Sequence, residues 1–297
     1  MGKLDGKVAI VTGAGRGLGR AISKGLAAQG AAVVVNDLGV TLGGDKEPSS
    51  PADQVVADIK AAGGKAAVNY GNVAKWSDAE ALVNQAVKDF GKLDILVNVA
   101  GILRDRMIFN MTEEEWDAVL NVHLKGTFNC SRFASVHMRE RKHGRIINIS
   151  SAAALGSPGQ PNYAAAKAGI LGLTFSCANA LGKYGITANA IMPQAATRMT
   201  DMVPRDRMGG ASIPTSETAE GTPSDPANVA PIIIYLASDE AAEINGQIFG
   251  SEGYRILRYR HIFWDKVIYN NGPWDLDNLF KVMKRTLARD LEKPRLM

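Results

Sequence analysis

The chain has 297 residues, a net charge of +4 and a sequence pI of about 9.0, with 46% hydrophobic and 22% charged residues. This composition is typical of a globular protein and excludes wholesale disorder, and the small charge excess permits an anionic ligand without requiring nucleic acid. Cys130 and Cys177 are the only cysteines, too few for a disulfide framework or for a zinc site made of cysteines alone. Both lie in apolar stretches, where we expect core thiols in a reducing compartment.

The N-terminal sequence MGKLDGKVAIVTG lacks the pattern of a signal peptide, and Gly6 departs from the pattern of a myristoylation site. The longest apolar run, at 229–237, is far shorter than the ~20 residues of a membrane-spanning helix. We therefore predict a soluble, cytoplasmic protein with no membrane partner.

Short runs rich in valine and isoleucine alternate along the chain with longer amphipathic stretches. The short runs are typical of buried strands and the longer ones of helices. This alternation predicts a parallel sheet of seven strands with helices on both faces, that is, a single doubly wound α/β domain of the Rossmann type. Predicted strands occupy 7–12, 31–37, 65–70, 93–98, 145–150, 186–191 and 246–250, and predicted helices include 17–29, 77–90, 113–141 and 163–183.

Two segments lie outside this alternation. Residues 39–54 are rich in Gly, Pro and Ser and predict an extended loop. Residues 254–297 form an aromatic and basic C-terminal extension to a domain that we place at 1–253, and the extension ends in a predicted helix within 274–293. A capping box formed by Thr112 and Glu115 predicts the start of the helix at 113–141.

The first predicted strand is followed directly by TGAGRGLG, residues 12–19. Glycines at positions 13, 15, 17 and 19 would let the backbone turn tightly and approach a diphosphate at the N-terminus of the next helix. Leu18 interrupts the generic G-x-G-x-x-G fingerprint, so the motif is T-G-x-x-x-G-x-G. The alternative is a glycine-rich turn without a ligand.

Asp37 follows the second predicted strand, in VVVNDL. A carboxylate there would accept hydrogen bonds from the adenosine ribose and repel a 2′-phosphate, which favours NAD over NADP. Arg16 in the glycine loop could face a phosphate and weakens this preference. A turn or helix-cap role for Asp37 is the alternative.

Tyr163 and Lys167 lie four residues apart in NYAAAKAG, so a helix would project both from one face. A phenol has a pKa of about 10, and a neighbouring ammonium favours the phenolate. This arrangement suits a tyrosine that acts as a general acid or base near neutral pH. A chance pair on a surface helix is the alternative.

These motifs, with NVAG at 98–101, INISS at 147–151 and NAIMPQAATRMT at 189–200, resemble those of the short-chain dehydrogenase/reductase family over about residues 5–253. The segments VVVNDLG, AGILRDRM, VHLKGTF and GQPNYAAAKAGILGL are most similar to the branch that contains the (3R)-hydroxyacyl-CoA dehydrogenase part of multifunctional enzyme type 2 and its bacterial relatives.

The resemblance implies roles for individual residues. Tyr163 would exchange a proton with the substrate oxygen, Lys167 would hold the nicotinamide ribose and lower the pKa of Tyr163, and Ser151 would hydrogen-bond the reacting oxygen. His123 would belong to the catalytic group or be an ordinary helix histidine. The implied cofactor site comprises Gly13, Arg16, Gly17, Leu18, Gly19, Asp37, Asn72, Val73, Asn98, Ala100, Gly101, Tyr163, Lys167, Pro193 and Thr197, with no metal.

The sequence departs from the family pattern at four places. Val99 replaces the second Asn of N-N-A-G, Asn72 replaces an Asp after the third strand, and His123 replaces an Asn. The fourth departure is the spacing, because Ser151 precedes Tyr163 by 12 residues where the family usually has 13. Ser150 keeps the usual count but would face the other side of its strand, so both serines remain candidates.

Residues 198–226 fall where the family has a mobile substrate lid, and Met199, Met202 and Met208 would suit an apolar substrate or pack on the body. Arg104 and Arg106 lie near the cofactor end of the fourth strand and are expected to be solvated. The extension would pack over the site or on a neighbouring subunit, or bind the phosphates of a CoA thioester. Nucleic-acid binding is disfavoured because the charge is modest and no nucleic-acid motif occurs.

The resemblance thus implies an NAD(H)-dependent oxidoreductase that interconverts a secondary alcohol and a ketone, on a 3-hydroxyacyl-CoA or a cyclic or aromatic CoA thioester. A hydroxysteroid or other free-alcohol dehydrogenase and a catalytically silent scaffolding subunit are the alternatives. The family also suggests a homotetramer or homodimer formed through the two long helices at 113–141 and 163–183.

Overall fold

One sheet runs through the protein. The computed structural model describes residues 2–40, 50–202, 214–260, 265–273 and 275–289. Within these ranges the sheet has eight strands in the order β3-β2-β1-β4-β5-β6-β7-β8. The strands are β1 (Val8–Thr12), β2 (Ala32–Asn36), β3 (Lys65–Asn69), β4 (Ile95–Asn98), β5 (Gly144–Ile149), β6 (Ile186–Gln194), β7 (Ile248–Glu252) and β8 (Arg255–Arg258).

The helices follow the strands in alternation. They are α1 (Gly17–Ala28), α2 (Pro51–Ala61), α3 (Trp76–Phe90), α4 (Glu113–Leu120), α5 (Gly126–Arg141), α6 (Pro161–Leu181), α7 (Arg198–Asp201), α8 (Ala230–Ala237) and α9 (Leu276–Arg285). The capping box of Thr112 and Glu115 is present at the start of α4, as predicted.

Each face of the sheet carries its own hydrophobic core. On one face Ile22 of α1, Val55 of α2 and Ile233 of α8 pack in one buried cluster. On the other face Leu82 of α3 and Phe133 of α5 belong to a second cluster. Strand residues alternate between the two clusters because successive side chains of a strand point to opposite faces. The predicted doubly wound α/β architecture is therefore confirmed.

The predicted count of seven strands is wrong, because β8 adds an antiparallel edge strand next to β7. Gly253, with φ +56°, allows the chain to reverse directly after β7. Arg255 then pairs with Glu252, and their side chains form an ion pair of 2.9 Å. The sequence of β8 is RILR, which does not alternate apolar and polar residues, and all four residues are exposed. The sequence therefore lacks the pattern of a half-buried strand.

The predicted loop at 39–54 is wrong at its C-terminal end, because α2 begins at Pro51. Residues 41–49 lie outside the described ranges. Proline suits the first position of a helix, where its fixed φ is already helical and its missing N–H is not needed. Val55 and Ile59, one turn apart, then bury the apolar side of α2.

The helix predicted at 113–141 is continuous but contains one wide turn. Residues Asn121–Lys125 form a π-helical turn between α4 and α5. Such a turn inserts one extra residue into the helix and often occurs at functional sites. Here it buries His123, which is 1% exposed.

The strand order reverses direction beside β1, whose neighbours are β2 and β4. In an open parallel sheet, a crevice forms at the carboxyl ends of the strands where the order reverses, and ligands bind there. Thr12 ends β1 and Asn98 ends β4. The glycine loop and the NVAG segment therefore face the same crevice.

One helix among the described residues, Pro161–Tyr184, is long and apolar enough by length and composition to cross a membrane, with a mean hydropathy of 1.2. It consists of α6 and the 3-10 turn that follows it. Asn162, Lys167 and Thr174 are buried on its inner side, and α6 packs on β6. The inner side of the helix therefore belongs to the core, although 28% of its apolar window is buried in the single chain.

Candidate active site

The glycine loop after β1 forms a close-packed cradle at the N-terminus of α1. Gly13 has φ +61°, and a Cβ at this position would lie 2.7 Å from the Cα of Ala100. A Cβ at Gly19 would overlap the carbonyl oxygen of Gly13. Gly17 also has a positive φ, +47°. Side chains are therefore excluded at these positions, and the backbone geometry fits a diphosphate at a helix N-terminus.

The cradle is tied to the neighbouring strand ends. The Thr12 hydroxyl accepts hydrogen bonds from the backbone N–H groups of Val99, at 3.0 Å, and Ala100, at 3.2 Å. A Cβ at Gly17 would lie 3.4 Å from the side chain of Thr197. The structure thus brings Gly13, Gly17, Gly19, Ala100 and Thr197 together around the crevice.

Asp37 lies beside the glycine loop just beyond the end of β2. Its carboxylate accepts hydrogen bonds of 2.9 Å from the backbone N–H groups of Gly15 and Gly39. These bonds hold the carboxylate at the edge of the cradle, where the ribose of a dinucleotide would fit. Arg16 is the N-cap residue of α1, and Leu18 packs against the core.

Asn72 and Val73 flank the crevice beyond β3. The Asn72 side-chain oxygen accepts the N–H of Ala74 at 2.9 Å, so the amide closes a local turn. Val73 is buried, and its carbonyl accepts a 2.9 Å hydrogen bond from the side chain of Asn129. Pro193 lies in β6, where it pairs with Ser251 of β7.

Asn98 belongs to a buried polar network between β4, β5 and two helices. Its side-chain amide donates to the Asn148 side chain at 2.9 Å and to the Ser131 hydroxyl at 3.2 Å. Asn148 in turn donates to the Thr174 hydroxyl at 2.9 Å. These bonds brace α5 and α6 against the sheet, while the buried side-chain oxygen of Asn98 has no hydrogen-bond partner among the described residues.

Tyr163 and Lys167 project from the first turns of α6, as their spacing predicts. The Nζ of Lys167 lies 5.4 Å from the centroid of the Tyr163 ring and donates a 2.7 Å hydrogen bond to the carbonyl of Ile149, at the end of β5. Lys167 is 3% exposed, and burial lowers its pKa to about 7. Lys167 can therefore gain or lose a proton near neutral pH.

The expected direction of the Tyr163 pKa shift is wrong. Burial, followed by the charge of Asp105, raises the pKa of Tyr163 above its usual value, and a hydrogen bond with the Ser151 side chain lowers it. We expected the ammonium of Lys167 to hold this pKa down. Burial destabilises the charged phenolate by more than the nearby groups stabilise it, so the pKa of Tyr163 rises.

Ser150 and Ser151 point to different sides of the strand end. The Ser150 hydroxyl is buried and donates a 2.9 Å hydrogen bond to the backbone carbonyl of Lys167. The Ser151 hydroxyl accepts the N–H of Ala153 at 3.2 Å and is close enough to Tyr163 to lower the pKa of its phenol. Of the two serines, Ser151 is the one whose hydroxyl lies with the Tyr163 phenol.

His123 lies behind Tyr163. Its Nε2 is 2.8 Å from the carbonyl oxygen and 3.0 Å from the backbone nitrogen of Ile102, and it can bond one of them in each tautomer. Its Nδ1 is buried and has no hydrogen-bond partner among the described residues. Burial, followed by the charge of Lys167, lowers the pKa of His123 well below its usual value, so the ring is neutral at physiological pH.

Two residues near this group were not singled out by the sequence analysis. Asn162 is fully buried directly before Tyr163, and Asp105 is close enough to affect the pKa of Tyr163. Both lie in segments that carried the family resemblance, GQPNY and ILRDRM. Their positions next to the motif tyrosine and in the loop after NVAG are the signals that could have identified them.

Comparisons with known proteins agree with this geometry. The short chain dehydrogenase family model matches residues 7–208. The chain is 48% identical over 301 residues to the hydroxyacyl-CoA dehydrogenase ChsB1 of Mycobacterium tuberculosis, covering 98% of this chain and 92% of that protein. It is 43% identical over 249 residues to peroxisomal multifunctional enzyme type 2 of Mus musculus, covering 83% of this chain but 32% of that protein.

A solved structure is similar over the full length. The crystal structure of a short chain dehydrogenase from Mycobacterium avium matches with a TM-score of 0.84 and 43% identity, covering 100% of this chain and 99% of that one. The chain belongs to the short-chain dehydrogenase family. It is therefore an oxidoreductase that acts on CH–OH groups with a nicotinamide cofactor. The alternative of a silent scaffolding subunit is not retained.

Proposed function

We propose that the protein is an NAD(H)-dependent dehydrogenase that interconverts a secondary alcohol and a ketone on a 3-hydroxyacyl-CoA or on a cyclic or aromatic CoA thioester. The observation that carries the proposal is the group formed by Ser151, Tyr163 and Lys167. It lies at the carboxyl ends of the strands, in the crevice that the glycine cradle also faces. The name of the relative ChsB1 adds support for the CoA thioester.

The proposed chemistry divides proton transfer from hydride transfer. A bound nicotinamide supplies the hydride acceptor or donor at its C4 atom. In the oxidative direction Tyr163 takes the proton of the substrate hydroxyl, and Ser151 hydrogen-bonds the same oxygen as its charge changes. Because burial raises the pKa of Tyr163, the phenol needs a base behind it.

Lys167 is the base that the structure offers. Burial lowers its pKa to about 7, so the neutral amine is available at neutral pH. Because the pKa of Tyr163 is raised, transfer of the phenol proton to Lys167 has to coincide with transfer of the substrate proton to the phenol, and the ammonium of Lys167 would return the proton during reduction. We further propose that His123 helps to hold Tyr163 and a water molecule in place for this proton transfer. It is neutral, its ring contacts Tyr163, and its Nδ1 is left for a polar partner such as a water molecule.

Asp37 supports NAD rather than NADP. Its carboxylate is held beside the glycine loop by two backbone N–H groups, those of Gly15 and Gly39. A 2′-phosphate at this place would meet a fixed negative charge, whereas ribose hydroxyls would find an acceptor. Asp37→Ala should reduce the preference for NAD over NADP in kcat/KM.

The CoA thioester is tested by a matched pair of substrates. NAD reduction is measured with a 3-hydroxyacyl-CoA and with its free 3-hydroxy acid, and Tyr163→Phe is the inactive control. We expect kcat/KM for the thioester to exceed that for the free acid by about 100-fold or more, because remote binding energy can be used at the reacting centre. Equal values for the two would contradict the proposed substrate class.

A hydroxysteroid or other free-alcohol substrate is the second candidate. Four large apolar side chains near the crevice, Met107, Ile108, Phe109 and Leu155, are exposed and would suit an apolar ring system. Of the proposed lid at 198–226, residues 203–213, including Met208, lie outside the described ranges. Met202 is 56% exposed and could contact such a substrate. Higher kcat/KM for a hydroxysteroid than for any CoA thioester would favour this candidate.

We also propose a cytoplasmic homodimer or homotetramer in which the part of the extension that follows β8 packs on a neighbouring subunit, while β8 pairs with β7 of its own chain. Three apolar residues of this part, Tyr269, Leu276 and Phe280, are 67–88% exposed in the single chain. Small and apolar residues also lie on the outer side of α6. Light scattering of the full-length chain and of a chain ending at residue 260, which keeps β8, would test the assembly. Identical oligomeric states would contradict the role of the extension.

A further inference from the structure

The segments LRDR and GQPN, residues 103–106 and 159–162, are joined by side-chain and backbone hydrogen bonds, and we call this pairing the clasp. Arg106 donates its backbone N–H to the carbonyl of Gly159 at 2.8 Å. Gln160 donates its side-chain amide to the Asp105 carboxylate at 2.7 Å. The clasp therefore joins the loop after β4 to the start of the helix that carries Tyr163.

Asn162 is the buried centre of the clasp. It is 0% exposed, and its side-chain oxygen accepts the backbone N–H of Tyr163 at 2.7 Å. Its amide nitrogen donates to the carbonyl of Arg104 at 2.9 Å and to the carbonyl of Glu115 at 3.0 Å. One side chain thus connects α6, the LRDR loop and α4.

The Asn162 side chain makes more hydrogen bonds than the start of α6 requires. A side-chain acceptor in the first turn of α6 would satisfy one orphan N–H, and the bond to Tyr163 does so. The two bonds donated by Asn162 serve other elements, and both elements are further linked by the ion pair of Arg106 and Glu115 at 2.8 Å. The loop after β4 is consequently fixed against the residue before Tyr163.

We propose that Asn162 is a positioning residue that sets Tyr163 relative to Ser151, and that the clasp makes the LRDR loop a fixed wall of the substrate cleft. This inference rests on the catalytic role proposed for Tyr163. The loop carries the exposed apolar residues Met107 to Phe109 directly after the clasp, so the clasp also fixes where an apolar substrate group would rest.

Asn162→Ala tests the first part of the inference, with Asn84→Ala as the matched control, since Asn84 is exposed on α3 and takes no part in the clasp. Rates are divided by the measured concentration of NAD-binding sites, so that a smaller fraction of folded protein does not lower the kcat that is compared. We expect kcat per site to fall about 10- to 100-fold in Asn162→Ala, with KM and NAD affinity little changed, because a displaced catalytic group costs rate more than binding. An unchanged kcat per site overturns the inference.

Gln160→Glu tests the clasp at a partly exposed position, where a substitution disturbs folding less than at the buried Asn162. It places two carboxylates together, so we expect kcat to fall. Asp105→Asn in addition restores a carboxylate–amide pair with the roles exchanged and should recover kcat. Failure of either step contradicts the clasp. If Tyr163→Phe is inactive while these variants behave as wild type, the inference fails and the proposed function stands; if Tyr163→Phe keeps normal turnover, the proposed function itself fails.

Discussion

The imidazole of His123 meets the phenol ring of Tyr163 edge to face, with ring centroids 5.1 Å apart and an interplanar angle of 85°. This packing fixes one side of the proposed catalytic tyrosine by a neutral aromatic ring rather than by a charged group. The contact is possible because Gly101 presents no side chain to the imidazole. A Cβ there would lie 2.9 Å from both ring nitrogens and would overlap Cε1.

Gly101→Ala should therefore displace His123 and disturb Tyr163. We expect a large loss of kcat and a loss of stability of about 1–3 kcal/mol, as for other overpacked sites. Gly172→Ala is the matched control, because Gly172 lies on α6 with open space around it and helical Ala is favoured over Gly by about 1 kcal/mol. Thermal unfolding and turnover of both variants check the prediction. Normal activity in Gly101→Ala would show that the ring contact is dispensable.

Ser151→Ala and Ser150→Ala should have opposite signatures. Ser151 lowers the pKa of Tyr163 and is placed to hydrogen-bond the reacting oxygen, so its loss should lower kcat about 100- to 1,000-fold with little effect on stability. Ser150 donates to the backbone of Lys167, so its loss should cost about 1 kcal/mol of stability and leave kcat within a few-fold. Steady-state kinetics and urea unfolding of the pair distinguish the two roles. The reverse pattern would assign the active-site hydroxyl to Ser150.

Asp105→Asn should shift the pH dependence of the reaction. The negative charge of Asp105 contributes to the raised pKa of Tyr163, so neutralising it should lower that pKa. The rise of kcat/KM for alcohol oxidation with pH should then occur at lower pH than in the wild type. Asp117→Asn, which removes the same charge from an exposed position of α4, should leave the profile in place. Superimposable profiles for wild type and Asp105→Asn would rule out this electrostatic link.

Lys167 should make stability depend on alkaline pH. Its pKa is about 7 in the folded protein and 10.5 in the unfolded chain. Between these values the unfolded chain binds the extra proton, so the contribution of Lys167 to the free energy of unfolding rises with pH. The wild type should therefore gain stability relative to Lys167→Met between pH ~7 and ~9. Lys183→Met, at an exposed position, is the control. Urea unfolding that shows a constant difference between Lys167→Met and wild type would contradict the buried amine.

The sequence was sufficient for the main features of fold and site because each had a local pattern. The short apolar runs identified each parallel strand among the described residues, and TGAGRGLG and YAAAK lie where the motifs predict, at one crevice. What failed depended on three-dimensional context. The exposed strand β8 has no apolar side to reveal it, and the start of α2 at Pro51 was hidden by loop-forming neighbours.

The electrostatics of the site also required the structure. The spacing of Tyr163 and Lys167 predicts that they share a helix face but does not give their burial. Burial decides the pKa of both groups, raising that of Tyr163 and lowering that of Lys167. Likewise, the bonds of Asn162 join segments more than forty residues apart, so no local pattern could reveal them.

The π-helical turn at Asn121–Lys125 sets the rotational phase of two packed helices at once. One residue more or fewer would rotate all of α5 by about 100° relative to α4. Val119 of α4 and Phe133 and Met138 of α5 are all buried. Such a rotation would turn the buried side chains of one of the two helices toward water. We conclude that the length of this stretch is constrained as strongly as the identity of His123 within it, because an insertion or deletion there would misalign α5 with the strands β4 and β5 that it contacts.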